Sequence, residues 1–256
     1  MSGRLRRKAD VLLALTEADL RSRYGRGRFR LLKWLVDPFA LVGVYLLLVI
    51  FVLGRSGAAT GVSLACAVVP FQLLMMSVAD ALAAVSVRRS IVLNMDFDRT
   101  LIPISSVLTE AVAFGASIGL LVLMMAVYSV GPTAALVWLP AVVAVNLAVA
   151  AGFAYPASLL GLWFRDLRPF AISLVRALYF AAPGLVPLSE IEGRAGDIVR
   201  VNPMTGLFES YRDVFLYGQR PALWQLLFPL GIAAVLLVLF VPLYRREQAQ
   251  FAKVVE

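Results

Sequence analysis

Apolar residues in this chain gather into six long runs, at about 34–53, 59–86, 101–130, 133–164, 169–188 and 221–243, with the polar positions falling between them. A helix needs about 20 apolar residues to cross the hydrocarbon core of a bilayer. The pattern therefore predicts an all-α membrane protein with six transmembrane helices. The fourth run, TAALVWLPAVVAVNLAVAAGFAYPASLLGLWF, and the sixth contain no charged residue. The fifth, PFAISLVRALYFAAPGLVPLS, is interrupted by Arg176 and three prolines; it is open between spanning, breaking partway and turning back. The length of the second, third and fourth runs predicts tilt or extension beyond the bilayer.

Two stretches outside these runs have helical periodicity of their own. VNPMTGLFESYRDVFLYG, Val201 to Gly218, reads as a capped helix: Asn202 as N-cap, Pro203 at the first helical position, Gly218 as the left-handed stop. Met204, Leu207, Phe208, Tyr211, Val214 and Phe215 share one face, which places Glu209, Arg212 and Asp213 on a wet face opposite. Near the start, residues about 9–24 predict an amphipathic helix with Leu13, Leu20 and Tyr24 on one side and Asp10, Glu17 and Arg21 on the other. Glu17 and Arg21 stand in the favourable i,i+4 order. Followed by RSRYGRGRFR, this segment reads either as a helix held on anionic lipid or as a topogenic charge cluster.

Composition and charge then set class and orientation. The chain is 61% hydrophobic and 16% charged, whereas soluble domains carry about a quarter charged residues. Of its 24 lysines and arginines, ten precede or include Lys33, three lie in 87–100, three in 165–176 and three in the tail. The positive-inside rule thus puts both termini in the cytoplasm, and Val201 to Gly218 outside. MSGRLRRK followed by the short patch VLLAL predicts no cleavable signal peptide. The single cysteine, Cys66, lies in an apolar run and excludes an internal disulfide.

Catalytic chemistry is sparse. Histidine is absent, which removes the commonest general base and metal ligand. There is no Walker motif, no Cys/His metal spacing and no G-x-S-x-G elbow. Asp80 and Glu110 fall near span ends and read as structural; Arg176 reads equally as the partner of an acid or the holder of an anionic substrate. In VRRSIVLNMDFDRTLIPISS, Ser90 to about Phe97 reads more readily as a solvated turn, with a short helix exposing Ile91, Val92 and Met95 to a partner as the alternative. WFRDLRPF, Trp163 to Phe170, joins an aromatic span end to a helix opened by Pro169.

Taken in order, four stretches resemble the permease subunits of type-2 ABC exporters for lipid-linked polysaccharides, the O-antigen, galactan, teichoic acid and capsule exporters. RSRYGRGRFRLLKWLVDP is similar to the entry motif R-Y-R-G-S-x-L-G-x-L-W-x-x-x-x-P, LNMDFDRTLIPISSVL to the coupling segment, FRDLRPF to F-R-D-[IV]-R-H, and NPMTGLFESYRDVFLYG to N-P-[LM]-T-x-x-x-x-x-Y-R-x-x-x-x-x-G. The likeness covers about residues 16 to 244. In the entry motif, the family's Gly falls on Arg30 and its Trp on Lys33; in the coupling segment Asp98 stands for a Pro.

The resemblance implies a homodimer in the bacterial cytoplasmic membrane. It implies two copies of a separate nucleotide-binding subunit carrying ATP and Mg, with no cofactor, catalytic residue or nucleic-acid site in this chain. It implies an interface helix in 1–33 (Glu17, Arg21, Arg23, Tyr24, Arg26). The six-span domain at 34–243 would contain a coupling helix in 87–100, with Arg88, Arg89, Asn94, Met95, Asp96, Phe97, Asp98 and Arg99 facing the ATPase. Re-entrant helices before the last span would form an outer gate in 183–218, carried by Pro183, Gly184, Asn202, Pro203, Phe208, Tyr211 and Arg212; a lid that merely covers the bundle is the other reading of that segment. Residues 244–256 would be a cytoplasmic tail. Aromatic faces suit sliding sugars, which makes Tyr45, Phe71, Tyr155, Trp163, Tyr179 and Phe180 candidates for lining the path. The expected cargo is a lipid-linked polysaccharide or polyol-phosphate polymer, with membrane lipids as further partners. A drug or small lipid is the alternative cargo, and a membrane-embedded polyprenyl-sugar transferase the alternative class.

Overall fold

A computed structural model describes residues 2–24, 30–52, 54, 58–191 and 193–251. Every regular element among them is helical. The α-helices run α1 (Ser2–Tyr24), α2 (Arg30–Leu47), α3 (Ala58–Val87), α4 (Arg89–Asn94), α5 (Leu101–Val127), α6 (Leu139–Trp163), α7 (Arg168–Phe180), α8 (Arg194–Arg200), α9 (Pro203–Arg212) and α10 (Leu223–Glu247). Two wide π-helical turns, Leu48–Val52 and Asp213–Tyr217, extend α2 and α9.

Among the described residues, four helical stretches are long and apolar enough to cross a membrane: Thr60–Val87, Leu101–Val127, Ala134–Trp163 and Leu223–Glu247. The chain is thus a multi-pass membrane protein. The first apolar run supplies a shorter apolar helix, Phe39–Phe51. The fifth breaks: α7 has 13 residues, about 20 Å at 1.5 Å per residue, too short for the roughly 30 Å core. Ala181 to Pro187, with Pro183 and Gly184, is turn.

α3 is the axis. It packs against α2, α5, α6, α7 and α9, and 78% of its apolar window is inside the bundle against 11% for α10. Its closest neighbour is α6, because small residues let the backbones approach. A Cβ added at Gly161 of α6 would lie 1.9 Å from the Leu82 carbonyl oxygen of α3, and one at Gly152 would lie 3.0 Å from Ala233 Cα of α10. Pro70 inside α3 has no N–H to donate to the Cys66 carbonyl. Near this interruption the Asn146 side chain reaches across from α6 to the Pro70 carbonyl and the Tyr211 hydroxyl, both at 3.4 Å.

The core divides in two. The larger cluster fills the space around α3 and α9; the smaller gathers Val85, Val92, Ile102, Tyr155, Tyr244 and Phe251 at the end of the bundle that carries α4 and the end of α10. That end also holds α1 and is called the basic end below.

The glycine contacts yield a paired expectation. Gly161→Ala forces α3 and α6 apart and lowers stability by about 1–3 kcal/mol. Gly115→Ala in α5, where nothing lies within 4 Å, gains helix propensity and is neutral or stabilising by up to about 1 kcal/mol. Thermal unfolding of the detergent-solubilised protein checks both.

Candidate functional site

The first site is built around α9. Asn202 is its N-cap, the side chain accepting from the Met204 N–H at 2.9 Å, with Pro203 in the first turn and Gly218 left-handed at φ 65° after the π-helical turn. Local chemistry folded this stretch as read. The two-sided reading needs correction: α9 is buried all round, with Arg212 0% and Glu209 7% exposed. Polarity did not send these side chains to water because they satisfy one another and the backbone around them. Arg212 donates from Nη1 to Glu209 Oε1 (2.6 Å), from Nε to Ser63 Oγ of α3 (2.9 Å), and from Nη2 to the Gly184 carbonyl (3.3 Å). Glu209 Oε1 also accepts the Leu188 N–H at 3.0 Å. Asp213 is half-buried, accepting from Gln225 of α10 at 2.8 Å.

The proposed gate residues therefore come together. Asn202 Nδ2 donates to the Leu178 carbonyl in the last turn of α7 at 2.7 Å. Phe208 stacks edge-on against Tyr179 at 5.7 Å, and Tyr211 meets Asn146. Pro183 and Gly184 are buried beside them. The i,i+3 spacing of Glu209 and Arg212 is itself ion-pair spacing and was a legible signal. Ser63, 149 residues away, was not.

Beside this knot lies a cavity of about 280 Å³ lined by Leu41, Tyr45, Phe71, Gln72, Arg176, Tyr179 and Phe180 among others. Tyr179 is its hub, with ring centroids 5.4 Å from Tyr45, 4.9 Å from Phe71 and 5.4 Å from Phe180. Four of the six aromatics singled out from the sequence thus share one wall, with Arg176 exposed at the rim. The other two lie elsewhere. Tyr155 is in the basic-end cluster, its hydroxyl donating to the Thr100 carbonyl at 3.0 Å; Trp163 is exposed at the end of α6.

The second site is the basic end. α1 is longer than its periodicity indicated and lies against α5. Its buried residues are Leu15 and Thr16, while Leu13 is exposed, so the inward face is rotated from the one read off the sequence. Two ion pairs latch α1 down: Lys8 to Asp98 at 2.7 Å, and Asp19 to the buried Arg88. Glu17 and Arg21 form the expected pair on the exposed side. Arg23 and Tyr24 end α1; Arg26 lies outside the described residues. Of the two readings of Ser90 to Phe97 the short helix is the one that forms, as α4, but Val92 is 1% exposed where the helical reading turned it outward, because it anchors α4 in the smaller core. Arg89, Asn94, Met95 and Asp96 remain outward. A cleft of about 570 Å³ runs between α1, residues 96–101 and the end of α10, lined by Arg7, Lys8, Asp96, Phe97, Asp98 and Arg99.

Burial alone would raise the Asp98 carboxyl, but hydrogen bonds from Lys8 and Thr100 outweigh it and hold it below its ordinary value. In the FRDLRPF turn, Arg168 donates to the Gly161 carbonyl at the end of α6 and to Ser86 of α3. No group of three or more metal-ligating side chains occurs among the described residues. Among the described residues the arrangement offers a charged cleft at one end and an aromatic cavity beside the knot.

No family model matches the chain. Similarity to curated proteins is nevertheless almost end to end. The chain is 27% identical over 246 residues to the O-antigen export system permease protein RfbA of Myxococcus xanthus, covering 95% of this chain and 94% of that protein. It is 26% identical over 210 residues to the protein of the same name from Klebsiella pneumoniae, covering 82% and 81%. The resemblance to the permease subunits of type-2 ABC exporters, read above from four motifs, is borne out by these relatives.

Two expectations follow from the geometry. Arg212→Met leaves Glu209 buried without its cation and costs about 3–5 kcal/mol, whereas the double change with Glu209→Gln recovers part of that loss; thermal unfolding compares the two. For Asp98, a folded pKa below the unfolded value of about 3.9 means the contribution is present above that pH and is lost as pH falls through the folded value. Lys8→Met removes this latch at every pH, so α1 is cut more readily near neutrality and its acid-dependent release through Asp98 is lost. Protease cleavage within α1 as a function of pH reads this out.

Proposed function

We propose that this chain is the permease subunit of an ATP-driven exporter moving a lipid-linked polysaccharide or polyol-phosphate polymer across the bacterial cytoplasmic membrane. It works as a homodimer with two copies of a nucleotide-binding subunit that holds ATP and Mg, and makes or breaks no bond itself. The observation that carries this reading is the near full-length similarity to O-antigen export permeases. That similarity spans both the latched basic end and the knot at α9.

In this reading the basic end is cytoplasmic, as the distribution of arginine predicts. The outward residues of α4 and the following loop (Arg89, Asn94, Met95, Asp96), with Phe97 and Asp98 at the cleft, meet the ATPase, while Arg99 lies behind them and holds α4 to the chain after α10. α1, held to the same loop by Lys8 and Asp19, moves with it. At the opposite end, α8 and α9 re-enter between α7 and α10 and form the outer gate. The aromatic wall of Tyr45, Phe71, Tyr179 and Phe180 offers flat apolar faces to sugar C–H groups, which favours passage without tight binding. Arg176 at its rim suits the phosphate of a lipid carrier or of a polyol-phosphate polymer. Inner-leaflet lipid meets the exposed side of α1.

Purification of the complex in mild detergent tests the reading. A nucleotide-binding subunit is expected at one copy per permease, hydrolysing ATP; none in several detergents overturns it. Within that complex, Met95→Asp with Phe97→Ala is expected to remove most glycan export while ATP hydrolysis persists. Unchanged export would remove the coupling role from these residues.

A further inference from the structure

α10 has the least buried apolar window of the four long spans, yet it is tied at both ends to the two sites. At its start, Pro229 has no N–H, so the Gln225 carbonyl four residues earlier lacks its helical donor. That carbonyl faces α9 at Gly206, where a Cβ would lie 2.6 Å from Gln225 O and 3.0 Å from Gln225 Cα. The Gln225 side chain locks the same joint, accepting from the Ala222 N–H at 2.6 Å and donating to Asp213 at 2.8 Å. At its other end Tyr244 is fully buried, edge-on to Tyr155 at 5.5 Å and to Phe251 at 4.9 Å, its hydroxyl 3.2 Å from Ser158. Arg99 closes this end, donating to the Val92 carbonyl in the last turn of α4 at 3.1 Å and to the Gln248 carbonyl that follows α10. One guanidinium therefore staples the C-terminal end of α4 to the C-cap of α10, sharing the Gln248 carbonyl with the Phe251 N–H at 3.4 Å.

We infer that α10 is the element that carries displacement of α4 to α9, with Arg99 as the positioning residue that makes α4 and α10 move together. The inference rests on the reading that an ATPase acts on α4. α3 also joins both sites, running into α4 and holding Arg212 through Ser63, but its backbone is locked against α6 at Gly161 and it is packed on most sides. A tilt or slide of α3 breaks those contacts. α10 is about 37 Å of continuous helix at 1.5 Å per residue, facing outward along most of its length, so it can shift at small cost in packing. Its glycine contact with α6 is looser than that of α3, 3.0 Å at Gly152 against 1.9 Å at Gly161. α10 carries Pro229 and Pro242 and packs on α6 and α9, but with its outer side uncovered it is freer to shift than α3, which fits transmission; the locked α3 fits a stator.

Hydrogen–deuterium exchange on the purified permease–ATPase complex tests this, comparing nucleotide-free protein with protein trapped by ATP and vanadate. Peptides over 89–99 report the α4 end and peptides over 213–222 report the α9–α10 joint. In the parent complex both are expected to change on trapping. In Arg99→Gln, and separately in Gly206→Ala, the 89–99 response is expected to persist while the 213–222 response is lost. An outer response that survives in either variant overturns the inference. Loss of the 89–99 response in Arg99→Gln also overturns it, since Arg99 would then belong to docking and not to the staple. A parent complex in which nucleotide changes neither peptide overturns the ATP-driven reading itself, a result distinct from the other two.

Discussion

In a bilayer, backbone that leaves a helix early must find partners inside the protein, because hydrocarbon supplies none. The end of α7 imposes that demand here, and the Arg212–Glu209 pair answers it. Arg212 takes the Gly184 carbonyl, Glu209 takes the Leu188 N–H, and Asn202 takes the Leu178 carbonyl. Burying two charges costs several kcal/mol each, and only good geometry with further hydrogen bonds from each nitrogen of the guanidinium offsets it. The fork of Arg212, shared among Glu209, Ser63 and Gly184, meets that condition. The pair is thus less a source of net stability than the condition under which a half-length α7 and an inward α9 can exist together. Remove it, and the turn at 181–190 loses its partners along with α9.

That constraint also explains the aromatic wall. α7 stops at Phe180, so Tyr179 and Phe180 lie where the chain turns instead of continuing across. There Tyr179 packs against α2 through Tyr45, α3 through Phe71 and α9 through Phe208. A full-length fifth span would carry these rings past the cavity. The knot and the cavity are two consequences of one broken helix.

Much of this was legible in the sequence. The all-helical class, the weak fifth run and the caps of α9 follow from periodicity, proline count and short-range chemistry. At α4 the short-range pattern favoured a solvated turn over a short helix, and the helix forms because Val92 anchors it in the smaller core. What failed was facing. Glu209 and Arg212 were placed in water because amphipathicity assumes that charge seeks solvent, and the partner that allows burial, Ser63, is remote in sequence. Val92 was placed outward and the face of α1 was rotated for the same cause: a one-helix pattern cannot say which neighbour waits on which side. Of the six aromatics, Tyr155 separated from the others because the smaller core at the basic end, assembled from five segments, has no signature in any one of them.

The arginines on which the positive-inside reading rests have a second use that a charge count does not disclose. Arg88 donates to the Ala84 carbonyl at the end of α3, Arg168 to the Gly161 carbonyl at the end of α6, and Arg99 to carbonyls at the ends of α4 and α10. Each sits at the C-terminal end of a helix, near the negative end of its dipole, and two of these carbonyls, Ala84 and Gln248, also accept a backbone N–H. Positive-inside bias asks only for charge near the inner ends of spans, and lysine would satisfy it. The fork does more, because a planar guanidinium reaches two acceptors at fixed angles where an ammonium is a flexible point charge. Arg168 uses this to join α6 to Ser86 of α3, Arg88 to join α3 to Asp19 of α1, and Arg99 to join α4 to α10. The charge that the positive-inside reading counts and the connection of the helices at that end thus lie on the same side chains. A change from arginine to lysine keeps the first and loses the second.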